Sequence, residues 1–188
     1  MAELLYPIDP PQLYGPSADA DLLLPIVKPD GEVVGRASRE YVHSGVERLL
    51  HPSVHVHVID RFSRLYLQLR GRTQEAHPGK WDVAVGGHVY YGELCEEALY
   101  REAKEELGLY DFNPVFVGDY IYESEFQSEF VCVYAAVGSF DLHPDTYEVQ
   151  EGRYWTAEQI REKLGKGIFT PLFEREFDEF YPKLEALL

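Results

Sequence analysis

A glycine-bounded helix rich in glutamate constrains this chain more than any other segment does. Residues 93–107 combine Glu, Ala and Leu in a helix-forming mixture, and Gly108 follows as the expected C-terminal cap. Glu102, Glu105 and Glu106 stand at positions i, i+3 and i+4, so their carboxylates share one face of the helix. Because like charges so placed repel and a hard cation with oxygen ligands relieves the repulsion, the segment predicts a metal site. Mg²⁺ is the favoured ion.

Alternating apolar residues before and after this helix in the sequence predict strands. Val54, Val56 and Val58 alternate with histidines, and a second alternation follows at residues 65–69 after a turn near residues 60–63. Strands mixed with a few helices indicate an α/β or α+β sandwich. We predict strands at residues 22–27, 33–34, 54–59, 65–69, 81–85, 115–124, 129–137 and 148–155, and helices at 39–50, 93–107, 157–164 and 171–185.

Length and composition favour one folded domain. The chain has 188 residues, of which 45% are hydrophobic and 27% charged, as in an ordinary globular protein. The first twenty residues lack periodicity and contain four prolines and a glycine, which predicts an N-terminal arm at residues 1–20. We therefore expect a single domain over residues 21–188.

The net charge of −16 argues against nucleic-acid polymers as partners, because such a surface repels a polyanion. A small phosphorylated ligand is compatible with it, since a bound cation reverses the local charge. Only Cys95 and Cys132 are present, without metal-site spacing, which fits a reducing cytoplasm. The sequence contains neither an apolar run of about 18 residues nor a signal-peptide pattern at its start, so no membrane association is expected.

The residues around the three glutamates complete a longer pattern that resembles the Nudix box. That box begins with a glycine, which is followed after five residues by Glu and after seven more residues by Arg-Glu. An apolar residue and any residue come next, then Glu-Glu, any residue, Gly and an aliphatic residue. Chance agreement at all seven fixed positions is on the order of 10⁻⁸ per start position. Ala103 is smaller than the aliphatic residue usual there. The matching residues are Gly87, Glu93, Arg101, Glu102, Glu105, Glu106 and Gly108, with Leu109 at the aliphatic end.

The resemblance implies an α/β/α sandwich with a mixed central sheet, and hydrolysis of a diphosphate linkage by water with Mg²⁺ or Mn²⁺ as cofactor. By this likeness Glu102, Glu105 and Glu106 are the metal ligands, and Glu105 or Glu106 also helps to activate water. The other box residues orient the loop and the helix. Many family members carry the general base outside the box, and Glu148 and Glu151 are candidates here.

A wider likeness, over about residues 22–170, is to the branch that includes isopentenyl-diphosphate isomerase. Those isomerases carry a catalytic Cys directly before a Gly-His pair, whereas this chain has Gly86 before Gly87 and His88. The missing thiol and the intact box favour a hydrolase over an isomerase-like enzyme. A non-catalytic ligand-binding module of the same fold is a further alternative.

The same likeness suggests two further groups of site residues. A second metal site would use His51, His88 and Glu129, with His43 fitting loosely and Gln127 standing where the isomerases have another glutamate. Arg70 and Lys80 are candidates for binding the diphosphate. The expected ligand is a small diphosphate-containing molecule, nucleotide-like or otherwise. The oligomeric state is open, a homodimer included.

Overall fold

The structure, a computed structural model, describes residues 3–9, 11–15, 23–74, 76–125, 127–144 and 149–188. It has a mixed α and β architecture, as the alternating patterns predict. The strands are β1 (Gln12–Tyr14), β2 (Leu23–Val27), β3 (Val33–Ser38), β4 (Leu50–Ile59), β5 (Leu65–Arg70), β6 (Trp81–Asp82), β7 (Val85–His88), β8 (Pro114–Glu123), β9 (Ser128–Val137) and β10 (Val149–Trp155). The helices are α1 (Arg39–His43), α2 (Cys95–Leu107), α3 (Ala157–Arg161) and α4 (Pro171–Glu185).

The chain divides into two compact units. The first comprises Met1–Val54, Gly87–Leu99 and Gly118–Cys132, and the second comprises His55–Gly86, Tyr100–Val117 and Val133–Leu188. A single domain over residues 21–188 stays a prediction.

A three-stranded sheet of order β1-β3-β2 lies in the first unit. Strand β2 runs antiparallel to β3, so the strands predicted at residues 22–27 and 33–34 form a hairpin, and β1 pairs with β3 in parallel. Strand β1 and the buried Leu4 both fall within the predicted N-terminal arm. The small core of this unit consists of Leu24, Ile26, Ala37 and Val42.

The seven-stranded sheet has the order β10-β5-β4-β9-β8, with β6 paired to β5 and β7 paired to β4. Strand β5 is antiparallel to β4, β6 and β10. In the second unit, Phe173, Phe177 and Tyr181 of α4 belong to a buried cluster that also contains Trp81 and Trp155, whose ring centroids are 5.0 Å apart. Trp81 is therefore a core residue.

Several predicted elements differ from the structure in extent, and the helix at residues 39–50 and the strand at residues 81–85 differ most. Helix α3 ends at Arg161 rather than at residue 164, and β4 begins at Leu50 rather than at residue 54. The helix predicted at residues 39–50 ends at His43, because Gly45 adopts a left-handed conformation with φ +73° and the chain then enters β4. The strand predicted at residues 81–85 is interrupted: the Val83 N–H donates to Asp82 Oδ1 at 2.9 Å, and β7 continues through both glycines to His88.

Helix α4 begins at a well-capped turn. The Thr170 side chain accepts from the Phe173 N–H at 3.2 Å and donates to Asp82 Oδ1 at 2.7 Å, and Pro171 occupies the first turn. None of the described helices combines the length and apolar character needed to cross a membrane.

Candidate active site

Helix α2 forms and ends as its sequence predicts. Gly108 has φ +61°, and its N–H donates to Lys104 O while the Leu109 N–H donates to Ala103 O, both at 3.0 Å. The bond from the Gly108 N–H to the Lys104 carbonyl is that of an αL cap, a left-handed conformation that a glycine adopts without a Cβ penalty. The fully buried residues of the helix are Ala98, Leu99, Ala103 and Leu107.

Arg101 lies against two of the three box carboxylates. Its Nη1 is 2.6 Å from Glu102 Oε1 and 3.5 Å from Glu105 Oε2. The Glu102 side chain is 13% exposed, whereas that of Glu105 is 60% exposed. One guanidinium therefore offsets part of the repulsion between neighbouring glutamates.

Glu106 is held by donors on two other segments of the second unit. Gln68 Nε2 donates to Glu106 Oε2 at 2.6 Å, and the Gly86 N–H faces Glu106 Oε1 at 3.4 Å. The Gln68 amide also donates to the Ala84 carbonyl and is itself buried. Sequence reasoning missed Gln68, although a polar residue between Leu67 and Leu69 in a buried strand was an available signal.

Glu93 shapes the turn that precedes α2. Its Oε2 accepts from the Tyr90 N–H at 2.9 Å, and Gly92 has φ +97°, which favours glycine. The Tyr6 hydroxyl donates to Glu93 O at 3.1 Å and accepts from the Gly92 N–H at 3.0 Å. Burial raises the pKa of Tyr6 to about 12, so the hydroxyl keeps its proton. Gly87 lies in β7.

A buried histidine–glutamate–histidine group lies beside Gly86 of strand β7. Glu176 of α4 is fully buried, with His55 Nδ1 at 2.6 Å from Oε1 and His57 Nε2 at 2.7 Å from Oε2. Burial raises the pKa of Glu176, but the two imidazoles outweigh it and the net pKa lies below its ordinary value. These three residues were not predicted as site residues, because contacts between residues separated by 119 and 121 positions leave no local sequence pattern.

Gly86 leaves room for the His55 ring. A Cβ on Gly86 would lie 3.3 Å from His55 Cδ2 and 3.4 Å from His55 Nε2, closer than ordinary van der Waals contact. The isomerases that the sequence resembles carry a cysteine at this position. A cysteine here would press against the imidazole.

In the first unit, three histidines form a cluster suited to a metal ion. Among the described residues, one donor atom from each of His43, His51 and His88 lies within 4.8 Å of the other two. The Nε2 atoms of His43 and His88 are 3.1 Å apart, and the rings of His51 and His88 are stacked with centroids 5.3 Å apart. The structure thus brings His51 and His88 together with His43, which fitted the family likeness only loosely.

The protonation state and position of the His51 ring suit it to bind a metal ion through Nε2. Its Nδ1 lies 2.9 Å from the Leu49 carbonyl, which can only accept, so Nδ1 carries the hydrogen and Nε2 the lone pair. Within the described part of the chain, this buried Nε2 has no hydrogen-bond partner. Burial lowers the pKa of His51 more than the charge of Glu129 raises it, which favours the neutral, metal-binding imidazole.

Glu129 lies in the same neighbourhood. It is 6% exposed, its charge acts on His51, and the Gln127 amide donates to its Oε1. Among the described residues, the group that could hold a metal ion comprises the three histidines and not Glu129, which acts on His51 through its charge.

The remaining predicted site residues are the two basic residues and the two candidate general bases. Arg70 donates from Nε to the Ala76 carbonyl at 2.9 Å and pairs with Asp82 at 3.3 Å, while the Lys80 carbonyl accepts from the Arg70 N–H at 2.9 Å. Glu151 is exposed. Glu148 lies outside the described residues.

The two cysteines lie together in the first unit. Cys95 Sγ and Cys132 Sγ are 3.3 Å apart, and both side chains are buried. The hydrogen bond from Cys132 lowers the pKa of Cys95, and the same contact with burial raises that of Cys132. Because both sulfurs are shielded, neither is placed to attack a substrate.

Known proteins with similar sequences include Nudix hydrolases and isopentenyl-diphosphate isomerases. Residues 49–173 match the NUDIX domain family. The chain is 32% identical over 148 residues to the uncharacterised Nudix hydrolase YfcD of Salmonella typhi, covering 78% of this chain and 77% of that protein. It is 28% identical over 172 residues to the isopentenyl-diphosphate Delta-isomerase of Streptomyces griseus, covering 88% and 87%.

Solved structures share the fold. The Deinococcus radiodurans protein DR0079 superposes with a TM-score of 0.70 at 24% identity, covering 86% of this chain and 98% of that one. The NUDIX domain of Shewanella oneidensis NrtR, solved with ADP ribose, has a TM-score of 0.58 at 14% identity, covering 76% and 90%. Since the family match spans more than half of the sequence and a relative exceeds 30% identity, the chain belongs to the Nudix family and is a Nudix-type hydrolase.

Proposed function

We propose that this hydrolase cleaves a diphosphate linkage in a small molecule, with water as the nucleophile and Mg²⁺ or Mn²⁺ held by Glu102, Glu105 and Glu106. The observation that carries the proposal is the fixed position of Glu106. Gln68 and the Gly86 N–H each face one of its oxygens, so its carboxylate has a defined orientation on the box helix.

The chemistry of this donor set fits a hard cation. Carboxylate oxygens are the ligands that Mg²⁺ prefers in proteins, and it usually keeps several waters and substrate phosphate oxygens besides. When bound, such a cation neutralises phosphate charge and makes water more acidic.

The chain's own residues orient the reaction. Arg101 holds Glu102 and Glu105, and Gln68 holds Glu106, so all three carboxylates are positioned before substrate arrives. In the reaction the water oxygen forms a bond to phosphorus, the bridging P–O bond breaks, and the leaving phosphate keeps the bonding electrons. The water proton passes to a base or to solvent.

The substrate class follows from charge and from the fold neighbours. A chain with a net charge of −16 does not attract a polynucleotide. One fold neighbour was solved with ADP ribose, a small molecule that contains a diphosphate. We therefore place nucleotide-like diphosphates first among substrates, with Arg70 and Lys80 as candidate contacts to the phosphates.

We also infer a second metal site at His43, His51 and His88, with Glu129 as a nearby carboxylate. Imidazole nitrogens suit borderline ions such as Zn²⁺ better than Mg²⁺. The buried Nε2 of His51, fixed through the bond from Nδ1 to Leu49 O, is the observation that supports it.

The histidine cluster and the Streptomyces relative favour an isomerase as the second candidate activity. Gly86 opposes it, because the position of the isomerase thiol has no side chain and His55 lies against it.

A substrate panel in ¹⁸O-labelled water distinguishes the two activities. The panel contains ADP ribose, nucleoside triphosphates, dinucleotides, nucleotide sugars, coenzyme A esters and isopentenyl diphosphate, each with Mg²⁺, with Mn²⁺ and with chelator. We expect cation-dependent cleavage of at least one diphosphate, with one ¹⁸O atom in a phosphate product by mass spectrometry. An allylic product from isopentenyl diphosphate without ¹⁸O uptake, together with no cleavage of any other compound, would contradict the proposal.

A further inference from the structure

Glu176 occupies an unusual place for a carboxylate. It is fully buried on α4, and its two oxygens lie 2.6 Å and 2.7 Å from nitrogens of His55 and His57 on β4. Burying a charge costs free energy even when it is paired, because every partner loses its water, and apolar side chains would fill the same core without that loss. The cost suggests a role beyond packing.

The carboxylate determines how the His55 ring is oriented. An ionised carboxylate only accepts hydrogen bonds, so His55 Nδ1 carries the hydrogen that is donated to Glu176 Oε1. The opposite edge of the ring, with Cδ2 and Nε2, lies against Gly86. The N–H of that same glycine faces Glu106 Oε1. The His55 edge and a box glutamate therefore meet at one residue.

We propose that Glu176 is a positioning residue of the hydrolytic site: it holds His55 so that Nε2 orients the attacking water beside Glu106. The inference rests on the proposed function, because it assigns His55 to the same hydrolysis. Glu176 touches no reacting atom and acts only through His55.

His57 provides a matched comparison within the same group. It contacts the other oxygen of Glu176, and it is 1% exposed where His55 is 7% exposed. Among the described residues, its Nδ1 has no hydrogen-bond partner. If the group of His55, Glu176 and His57 serves stability alone, loss of either imidazole should change stability and kcat to the same extent. If it serves catalysis, His55 alone affects turnover.

Four variants of the full-length protein test the proposal: His55→Gln, His57→Gln, Glu176→Leu and Gly86→Ala. Urea unfolding measures stability, and steady-state kinetics on a compound cleaved by the wild type separates kcat from KM. We expect His55→Gln and Glu176→Leu to lower kcat about 10- to 100-fold, the range of an outer-shell partner, with little change in KM. His57→Gln should lose stability but keep kcat within about twofold, because His57 contacts the other oxygen of Glu176, and the atoms nearest to a Cβ on Gly86 belong to His55 and Val83.

The Gly86→Ala variant tests the proposal if the other variants do not fold. An NMR measurement tests it if the wild type shows no turnover. Gly86→Ala keeps all three buried residues and should still lower kcat, because the added methyl displaces the His55 ring. Two-bond ¹H–¹⁵N NMR should show Nδ1–H on His55 in the wild type and its loss in Glu176→Leu. Equal kcat losses in the two histidine variants overturn the inference. Absence of any turnover in the wild type contradicts the proposed function instead, and a His55 that is not Nδ1-protonated then overturns the inference independently.

Discussion

The side-chain amide of Gln68 donates a hydrogen bond to Glu106 Oε2 at 2.6 Å, which connects strand β5 to a box glutamate on α2. Gln68 is 4% exposed, and its Oε1 has no hydrogen-bond partner among the described residues. The residue thus keeps a buried polar atom unsatisfied while it holds Glu106. Such a cost is expected where a neighbour fixes the orientation of a metal ligand.

Replacing Gln68 with Leu should lower Mg²⁺ affinity or kcat/KM about 10- to 100-fold, because Glu106 loses a donor that orients it. Leucine keeps similar bulk and removes the unsatisfied oxygen, so the free energy of unfolding should fall little. Metal titrations monitored by hydrolysis rate measure the effect. Gln150→Leu, at an exposed position of β10, is the control, and equal behaviour of the two variants would refute the role of Gln68.

Glu105→Gln and Glu106→Gln should each leave the fold nearly intact and lower cation-dependent hydrolysis by about 100-fold or more, beyond the range typical of an outer-shell partner. Each change removes a charged ligand and keeps the shape of the side chain. Glu96→Gln, on the exposed first turn of the same helix, should retain the wild-type rate. An unchanged rate in either box variant would remove the basis for the metal assignment.

His51→Gln should abolish binding of one Zn²⁺ per chain, because the buried Nε2 lone pair is lost from the histidine cluster. Equilibrium dialysis followed by elemental analysis gives the stoichiometry. His143→Gln, whose side chain is 71% exposed in the wild type, serves as the control. Undiminished zinc in His51→Gln, or no zinc in the wild type, would argue against the second site.

The contribution of Glu176 to stability should depend on pH. Its pKa is 4.5 in the unfolded chain and lower in the folded protein, so the folded state favours the ionised form. The contribution is therefore full above about pH 4.5 and is lost as pH falls through the folded pKa. The Glu176→Gln variant should lose about 3 kcal/mol of unfolding free energy at pH 7, and less at pH 3. Urea unfolding at both pH values measures the difference, and an equal or larger loss at pH 3 would be the contrary result.

Most secondary-structure elements could be predicted from local sequence. Helix α2 and its cap at Gly108, the hairpin of β2 and β3, and helix α4 after Thr170 follow from patterns within about fifteen residues. The predicted helix at residues 39–50 was too long, because the spacing of apolar residues did not reveal the left-handed Gly45. The predicted strand at residues 81–85 was wrong in its continuity, because the local bond between Val83 and Asp82 interrupts it.

Some residues of the candidate site could likewise be predicted from the sequence, and others were found only in the structure. The box residues and His51, His88 and Glu129 could be named from motif and family likeness, since their chemistry depends on residue type and spacing. Gln68 and Glu176 were not named, although the polar side chain of Gln68 between Leu67 and Leu69 was a local signal. Each acts through a side chain distant in sequence, 38 residues away for Glu106 and 121 for His55.

The amino-acid sequence by itself determined the family, the mixed α and β composition and the acidic helix face, because these depend on periodicity and on residues adjacent along the chain. Only the tertiary structure decided which groups orient Glu106, where the His55 ring lies beside Gly86, and that His43 joins the other two histidines. The physical reason is that hydrogen bonds and metal-ligand distances act over about 3 Å in space, whatever the separation of the residues in sequence.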